Sequence, residues 1–246
     1  MNFAVLGAGV TGLACATTLQ DAGEAVTVYE SESQPGGLAR TEVVNGFVFD
    51  CSGGHIFNTR WPDVKEWFFR YLPESEWQYN IRYCKVWYRK DLIIDYPFEL
   101  GLYKLPLDEA IDCLIDLFKQ QTKQEPEPDN LRDWFIWRFG KAIAERYFIP
   151  YNRKLWNLNP VLISPVWVQG KMPLPSIREI LKAILRKDSS ENNTSHSSFY
   201  YPKEGGIQNW VNRVAATVPN LRLSTKVESV EKVPAGWIVN GENIYK

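Results

Sequence analysis

Asn2-Phe3-Ala4-Val5-Leu6-Gly7-Ala8-Gly9-Val10-Thr11-Gly12 opens the chain with a short apolar run followed by G-x-G-x-x-G. A hexapeptide of that form is weak evidence alone, and its flanks give it meaning. Asn2 to Leu6 has a strand pattern, and Val10 to Ala22 a helix pattern with Leu13, Ala16 and Leu19 on one apolar face. Ala25 to Glu30 (AVTVYE) is β-branched and aromatic, hence a second strand. In such a βαβ unit Gly7 permits the tight turn, Gly9 keeps a Cβ away from a pyrophosphate, and Gly12 lets helix and strand pack closely. The N–H groups around Val10 and Thr11, together with the helix dipole, favour an anion. Glu30 closes the second strand about 20 residues on, where a carboxylate accepts from ribose hydroxyls and repels a 2′-phosphate. A Rossmann-type dinucleotide site is expected, and NADP is disfavoured.

The residues after Glu30 separate the remaining dinucleotides. An NAD domain normally enters a helix there, whereas this chain runs into Gln34-Pro35-Gly36-Gly37-Leu38-Ala39-Arg40-Thr41. Gly36-Gly37 allows close backbone approach, and Arg40 offers a fixed cation to a phosphate or ribose oxygen. A plain Gly-Gly turn beside a solvated arginine would use the same residues. The stretch resembles the second fingerprint of the FAD-dependent amine oxidase, protoporphyrinogen oxidase and UDP-galactopyranose mutase superfamily. That resemblance implies FAD, held by Gly7, Gly9, Val10, Thr11, Gly12, Glu30, Gly36, Gly37, Leu38, Arg40 and Thr41.

Three further stretches resemble the same superfamily. Phe47-Val48-Phe49-Asp50 with Ser52-Gly53-Gly54-His55-Ile56-Phe57 looks like the Gly-rich, often His-containing segment that passes near the flavin ring. It adds Gly53, Gly54 and His55 to the expected cofactor contacts, although a structural histidine beside a glycine turn fits the same pattern. Tyr147 to Trp156 is similar to the Tyr-x-x-Lys-x-Trp stretch of UDP-galactopyranose mutases and their relatives in surface-polysaccharide pathways. There Arg153 and Lys154 suit a diphosphate, and Tyr151 and Trp156 offer stacking faces for a nucleotide sugar. Core packing of those two aromatics is the competing explanation. Tyr201 to Ile207 resembles the return into the FAD domain, with an anion-friendly helix start after Gly205-Gly206. Thr225-Lys226-Val227 falls where members place a strand whose valine backbone meets the adenine, so Val227 is carried over on that basis.

Two departures accompany the resemblance. Superfamily members are normally much longer, continuing into more substrate domain and a final Gly-Asp-type segment. The chain is therefore expected to lack their C-terminal part. The mutase arginine pattern after Lys-x-Trp is not clearly reproduced, Lys171 and Arg178 being the nearby candidates.

Elsewhere the chain is ordinary. It has 246 residues, 45% hydrophobic and 23% charged, with a formal net charge of −1. That balance gives no global pull toward nucleic acid or anionic membrane. The four cysteines form no C-x-x-C pair, so zinc is not indicated and all are expected reduced. No apolar run approaches the ~20 residues that span a bilayer. No signal peptide is expected ahead of the first strand, a cytoplasmic location is expected, and the sequons at Asn192 and Asn193 would then go unused.

An α/β FAD domain, discontinuous in sequence, is expected from residues 1–59 and 200–246. Residues 60–199 form an inserted, mostly helical substrate or cap domain. Thr41 to Asp50 is expected to be a hairpin turning at Asn45-Gly46. Asp108 to Gln121 is expected to be a helix with Ile111, Leu114, Ile115 and Phe118 on one face. Asn130 is expected to cap the next helix and Ser176 with Glu179 another. Leu221 to Val239 has the pattern of two strands joined at Pro234-Ala235-Gly236. Lys187 to Ser198 is polar and loop-like, and carries His196. An unpaired sheet edge would let the chain form a homodimer.

Three functions fit. In a flavin oxidoreductase, N5 accepts a hydride from a small substrate, and no catalytic acid or base stands out for it. In a mutase-like isomerase, reduced flavin attacks the anomeric carbon of a nucleotide sugar. A cofactor-binding module without turnover is the third.

Overall fold

The computed structural model describes residues 1–123, 125–168, 172, 174–188 and 198–245. Lys171, Asn192, Asn193 and His196 lie outside the described residues. The chain divides into two compact units, residues 1–81 with 198–246 and residues 82–197.

The first unit opens with β1 (Asn2–Leu6), α1 (Val10–Asp21) and β2 (Ala25–Tyr29). β1 and β2 pair in parallel from Asn2↔Ala25 to Leu6↔Tyr29, the arrangement a crossover helix imposes. No helix follows β2. A hairpin comes next, β3 (Thr41–Val44) with β4 (Phe47–Asp50). Its turn uses Asn45 at φ 52° and Gly46 at φ 80°, left-handed values that asparagine and glycine tolerate. α2 (Pro62–Tyr71) starts with proline at its first turn, where the missing N–H costs nothing. β5 (Trp77–Ile81) follows.

The second unit holds the hairpin β6 (Lys85–Arg89) and β7 (Leu92–Asp95), then α3 (Leu107–Gln121) and α4 (Leu131–Phe139). Asn130 caps α4 by accepting the Asp133 N–H at 3.0 Å. Gly140 ends α4 at φ 81°, and a Cβ there would lie 2.7 Å from the Asp116 backbone. The chain resumes as α5 (Lys141–Ile143), one wide π-type turn over Ala144–Phe148, and α6 (Ile149–Trp156). α7 (Ile177–Arg186) carries the Ser176–Glu179 capping box. Ile94, Phe98, Leu100, Leu131, Phe135 and Ile180 meet in the core of this unit.

Two expectations need correction here. The β6–β7 hairpin was not foreseen in a region expected to be mostly helical. α3 also turns a partly different face inward: Ala110, Cys113 and Leu117 are buried and Leu114 packs against their cluster as expected, while Ile111, Ile115 and Phe118 stay largely exposed. Small side chains allow close helix approach on the buried side, so residue size outweighed the apolar count.

The first unit is completed by β8 (Ser198–Pro202), α8 (Gly206–Ala215), β9 (Leu221–Arg222), β10 (Val230–Val233), β11 (Gly236–Val239) and β12 (Asn243–Tyr245). β8 pairs antiparallel with β5. β9 extends the parallel sheet to the order β1-β2-β9, and β10-β11-β12 form a separate meander. Leu221 to Val239 thus contributes three strands, and Thr225 to Val227 lies outside all of them. Residues 60–81, assigned to the insert from sequence, sit in the first unit. The reason is aromatic packing: Phe68 stacks on Trp210 at 4.1 Å and on Phe57 at 3.5 Å. Trp210 also donates its ring N–H to the Phe68 carbonyl at 2.8 Å. Burying large aromatic surface in this way outweighs any tendency of α2 to join the helical unit.

Candidate functional site

The glycine turn is built as its spacing implies. Gly7 sits at φ 98°, and its N–H donates to the Tyr29 carbonyl at 2.7 Å. A Cβ on Gly12 would lie 1.9 Å from the Gly7 carbonyl oxygen, so helix and turn approach in a way only glycine allows. Leu13 is the first residue whose N–H bonds back to the turn, onto Gly9 O at 3.0 Å. The amides ahead of it have no acceptor within the helix. Gly9 supplies no side-chain cap, and the first turn carries no acid. An uncapped, positively polarised helix start is what a pyrophosphate needs.

Glu30 is 7% exposed. Its Oε2 accepts the Ala8 N–H at 2.7 Å, and its Oε1 accepts the Glu32 N–H at 2.9 Å and the Ser31 hydroxyl at 3.2 Å. Burial alone would raise its pKa, but these donors outweigh it and hold the carboxyl below its usual value. Glu30 is therefore a charged acceptor with lone pairs to spare. Thr225 donates its N–H to the Glu30 backbone carbonyl at 2.7 Å, which ties the segment ending at Val227 to the end of β2. Val227 itself packs against Tyr29, Val239 and Tyr245.

The second fingerprint docks on the first. Gly36 donates its N–H to the Ala8 carbonyl at 2.8 Å. Gly36 and Gly37 hold φ 126° and 58°, and a Cβ on Gly37 would stand 3.2 Å from Gly9 Cα. Leu38 is 74% exposed. Among the described residues, the Trp67 and Trp167 ring nitrogens are buried without a hydrogen-bond partner, and so are the Arg40 Nε and His55 Nε2. Orphaned buried polar atoms are rare in a finished fold, and the last two lie on segments expected to meet a dinucleotide. The donor set therefore fits FAD.

Thr41 has mostly internal work. Its hydroxyl donates to Asp50 at 2.7 Å and accepts the Gln208 N–H at 3.2 Å. That second bond occupies one amide of the α8 start. Gln208 in turn donates to the Pro35 carbonyl at 3.1 Å. Asp50 and Gln208 were not singled out from the sequence. An acid closing the apolar run Phe47 to Phe49 was the available signal for Asp50, whereas nothing local marks Gln208. Gly53 and Gly54 leave open space where a Cβ would stand.

The residues expected to meet substrate lie on α6 of the second unit. Tyr151 and Trp156 are 49% and 48% exposed. Tyr151 stacks on Tyr147 at 5.5 Å, and Trp156 sits edge-on to Trp167 at 5.2 Å. Asn152, buried, accepts the Trp156 ring N–H at 3.3 Å and orients it. Tyr151 and Lys154, three residues apart, share a face, while Arg153 points elsewhere around the helix. Arg153 and Lys154 are exposed and form no ion pair among the described residues. In the same unit Glu99 is 2% exposed. Burial raises its carboxyl to about 7, against partial relief from its own N–H and from Arg138. Among the described residues no group of three or more metal-ligating side chains occurs, and no helix is long and apolar enough to cross a membrane.

Residues 5–72 match the family described as NAD(P)-binding Rossmann-like domain. UDP-galactopyranose mutase of Mycoplasma pneumoniae is 23% identical over 172 residues, 67% of this chain and 42% of that protein. A 4,4'-diapophytoene desaturase of Staphylococcus aureus (strain COL) is 30% identical over 154 residues, 61% of this chain and 28% of that protein. Among solved structures, reduced UDP-galactopyranose mutase superposes with a TM-score of 0.85 at 26% identity, covering 97% of this chain and 52% of that one. A putative protoporphyrinogen oxidase from Exiguobacterium superposes at 0.66 with 16% identity, covering 97% and 56%. The chain thus spans about half or less of the length of the proteins it matches. The expected flavoprotein superfamily resemblance and Rossmann-type fold are borne out. The mutases and desaturases among these relatives are FAD-dependent, and the first unit is of a dinucleotide-binding type.

Proposed function

We propose that this chain supplies the FAD-holding and substrate-contacting parts of a flavoenzyme acting on a nucleotide sugar, with mutase-like chemistry. The observation that carries the cofactor half is the uncapped start of α1 facing the Gly36-Gly37 turn, with the unpartnered Arg40 Nε on the same loop. The α1 amides would take the pyrophosphate, Glu30 a ribose hydroxyl, and Arg40 a phosphate or ribose oxygen. The substrate half rests on α6. Lys154 and Arg153 would neutralise a diphosphate, and the half-exposed faces of Tyr151 and Trp156 would stack on base or sugar. The superposition at 0.85 on the mutase favours this substrate class. FAD, when bound, supplies either a hydride acceptor at N5 or, once reduced, a nucleophile for an anomeric carbon.

A second reading is a flavin oxidoreductase taking a hydride from a small substrate. It is favoured by the 30% identity to the desaturase. Both predict saturable quenching of FAD fluorescence by the purified chain, and absence of binding refutes both. Isomerisation of UDP-galactopyranose only after dithionite reduction selects the mutase. Anaerobic bleaching of bound flavin by an amine selects the oxidoreductase.

A further inference from the structure

We infer that Asp50 is a positioning residue, one that holds the segment carrying His55 so that the imidazole meets the flavin; the inference rests on the FAD reading above. The Asp50 carboxylate gathers donors from three parts of the first unit. It accepts the Thr41 hydroxyl at 2.7 Å, the Tyr201 hydroxyl at 3.0 Å on each oxygen, and the His55 backbone N–H at 2.9 Å. Burial and that bond together push the Tyr201 phenol up to about 12, so it stays a donor.

The segment between Asp50 and Phe57 is fixed at both ends. The Cys51 N–H donates to the Arg40 carbonyl at 2.8 Å, and Phe57 exchanges two backbone bonds with Tyr200 at 2.9 and 2.8 Å. Between these anchors lie Gly53 and Gly54, the first at φ 91°, which leave the backbone free to bend. The bond to Asp50 removes that freedom at His55. A carboxylate is the group that suits the place, because it accepts from all sides and donates from none. Asparagine would turn an amide toward the same donors.

What lies at the end of this arrangement is a polar atom with unmet demand. The His55 Nε2 is buried and has no partner among the described residues, which leaves it open to accept or donate a bond to a ligand. Asp50 touches no such ligand. Its effect passes through the backbone it clamps.

The test uses the whole chain with and without FAD. The His55 ring signals in a nitrogen-labelled sample are assigned by their loss in His55→Ala. In Asp50→Asn those signals shift, FAD affinity falls about tenfold, and the visible flavin bands move as they do in His55→Ala. Because the two residues act as a unit, Asp50→Asn adds nothing to FAD affinity once His55 is alanine. Unmoved His55 signals overturn the assignment, and so does a double variant whose loss equals the product of the single losses. If Asp50→Asn does not fold, Tyr201→Phe, which keeps the carboxylate, moves the same signals by a smaller amount, and their constancy overturns it. A wild-type chain that fails to bind FAD removes the cofactor reading and this assignment together. A wild-type chain that binds FAD with independent effects at the two positions removes the assignment alone.

Discussion

Ala8 donates its backbone N–H to the Glu30 carboxylate at 2.7 Å, so the glycine turn and the acid at the end of β2 are locked together. The lock has a pH signature. The folded state holds the Glu30 carboxyl below its usual value because the Glu32, Ala8 and Ser31 donors outweigh burial. Its stabilisation is therefore present above the unfolded pKa and fades as pH falls through the folded one. Glu30→Gln is expected to lower unfolding free energy at pH 7 by about 1–3 kcal/mol, with the difference shrinking toward pH 3. Urea melts at several pH values measure it. A constant difference across that range would remove the electrostatic account.

Gly12 and Gly9 separate folding from binding. A Cβ at Gly12 meets the Gly7 carbonyl at 1.9 Å, whereas a Cβ at Gly9 finds Gly37 Cα at an ordinary 3.9 Å. Gly9 also has φ −68°, open to any residue. Gly12→Ala is expected to destabilise the chain by several kcal/mol, on the order of a severe backbone clash. Gly9→Val is expected to keep the melting temperature and lose FAD affinity at least tenfold, because its branched side chain crowds the amides meant for the pyrophosphate. Retained affinity in Gly9→Val would count against the site itself.

The β1-α1-β2 unit was legible because its determinants are local: glycines at fixed spacing, an apolar strand on each side, and an acid at the second strand's end. The absence of a helix after Glu30 was legible for the same reason. The hairpin turn at Asn45-Gly46 and both capping residues also announce themselves within four residues. What stayed hidden depends on distant partners. β5 finds β8 across the whole second unit, pairing Trp77 with Pro202, and no local pattern in Trp77 to Ile81 forces a strand. Asp50 looked like no more than the end of a hairpin because its donor Tyr201 is remote in sequence. α3 misled because Ile111, Ile115 and Phe118 were counted for hydrophobicity, while Ala110 and Cys113 won the core by size.

Glu99 makes the second unit sensitive to pH in the opposite sense to Glu30. Its carboxyl is raised to about 7 by burial. The unfolded chain therefore ionises it near 4.5 while the folded chain resists. Stability is lost progressively as pH rises from about 4.5 to 7 and stays reduced above that, by about 3 kcal/mol at most. Glu99→Gln keeps the shape and removes the charge, so it is expected to be near neutral at pH 4.5 and stabilising at pH 8. Denaturant melts at those two pH values decide it. Equal effects at both would show that the carboxyl is hydrated or paired in solution.

The substrate reading of α6 stands on side chains that can be altered without touching the core. Lys154 is exposed and unpaired among the described residues, and Trp156 is half-exposed with its ring N–H held by Asn152. Lys154→Met removes the charge and keeps the stem, so its cost should fall on an anionic ligand alone. The expectation is a UDP affinity lowered about tenfold, the range of one charge-assisted contact, with FAD affinity and melting temperature unchanged. Trp156→Phe should lower it less, since a smaller stacking face remains. Asn152→Ala provides the contrast. It frees the Trp156 ring and leaves the Phe148 carbonyl without its 2.8 Å donor, so both stability and UDP affinity should fall. Isothermal titration with UDP on the three variants separates the cases. If Lys154→Met binds UDP as the wild type does, the cations of α6 are solvated surface and the nucleotide-sugar assignment loses its footing.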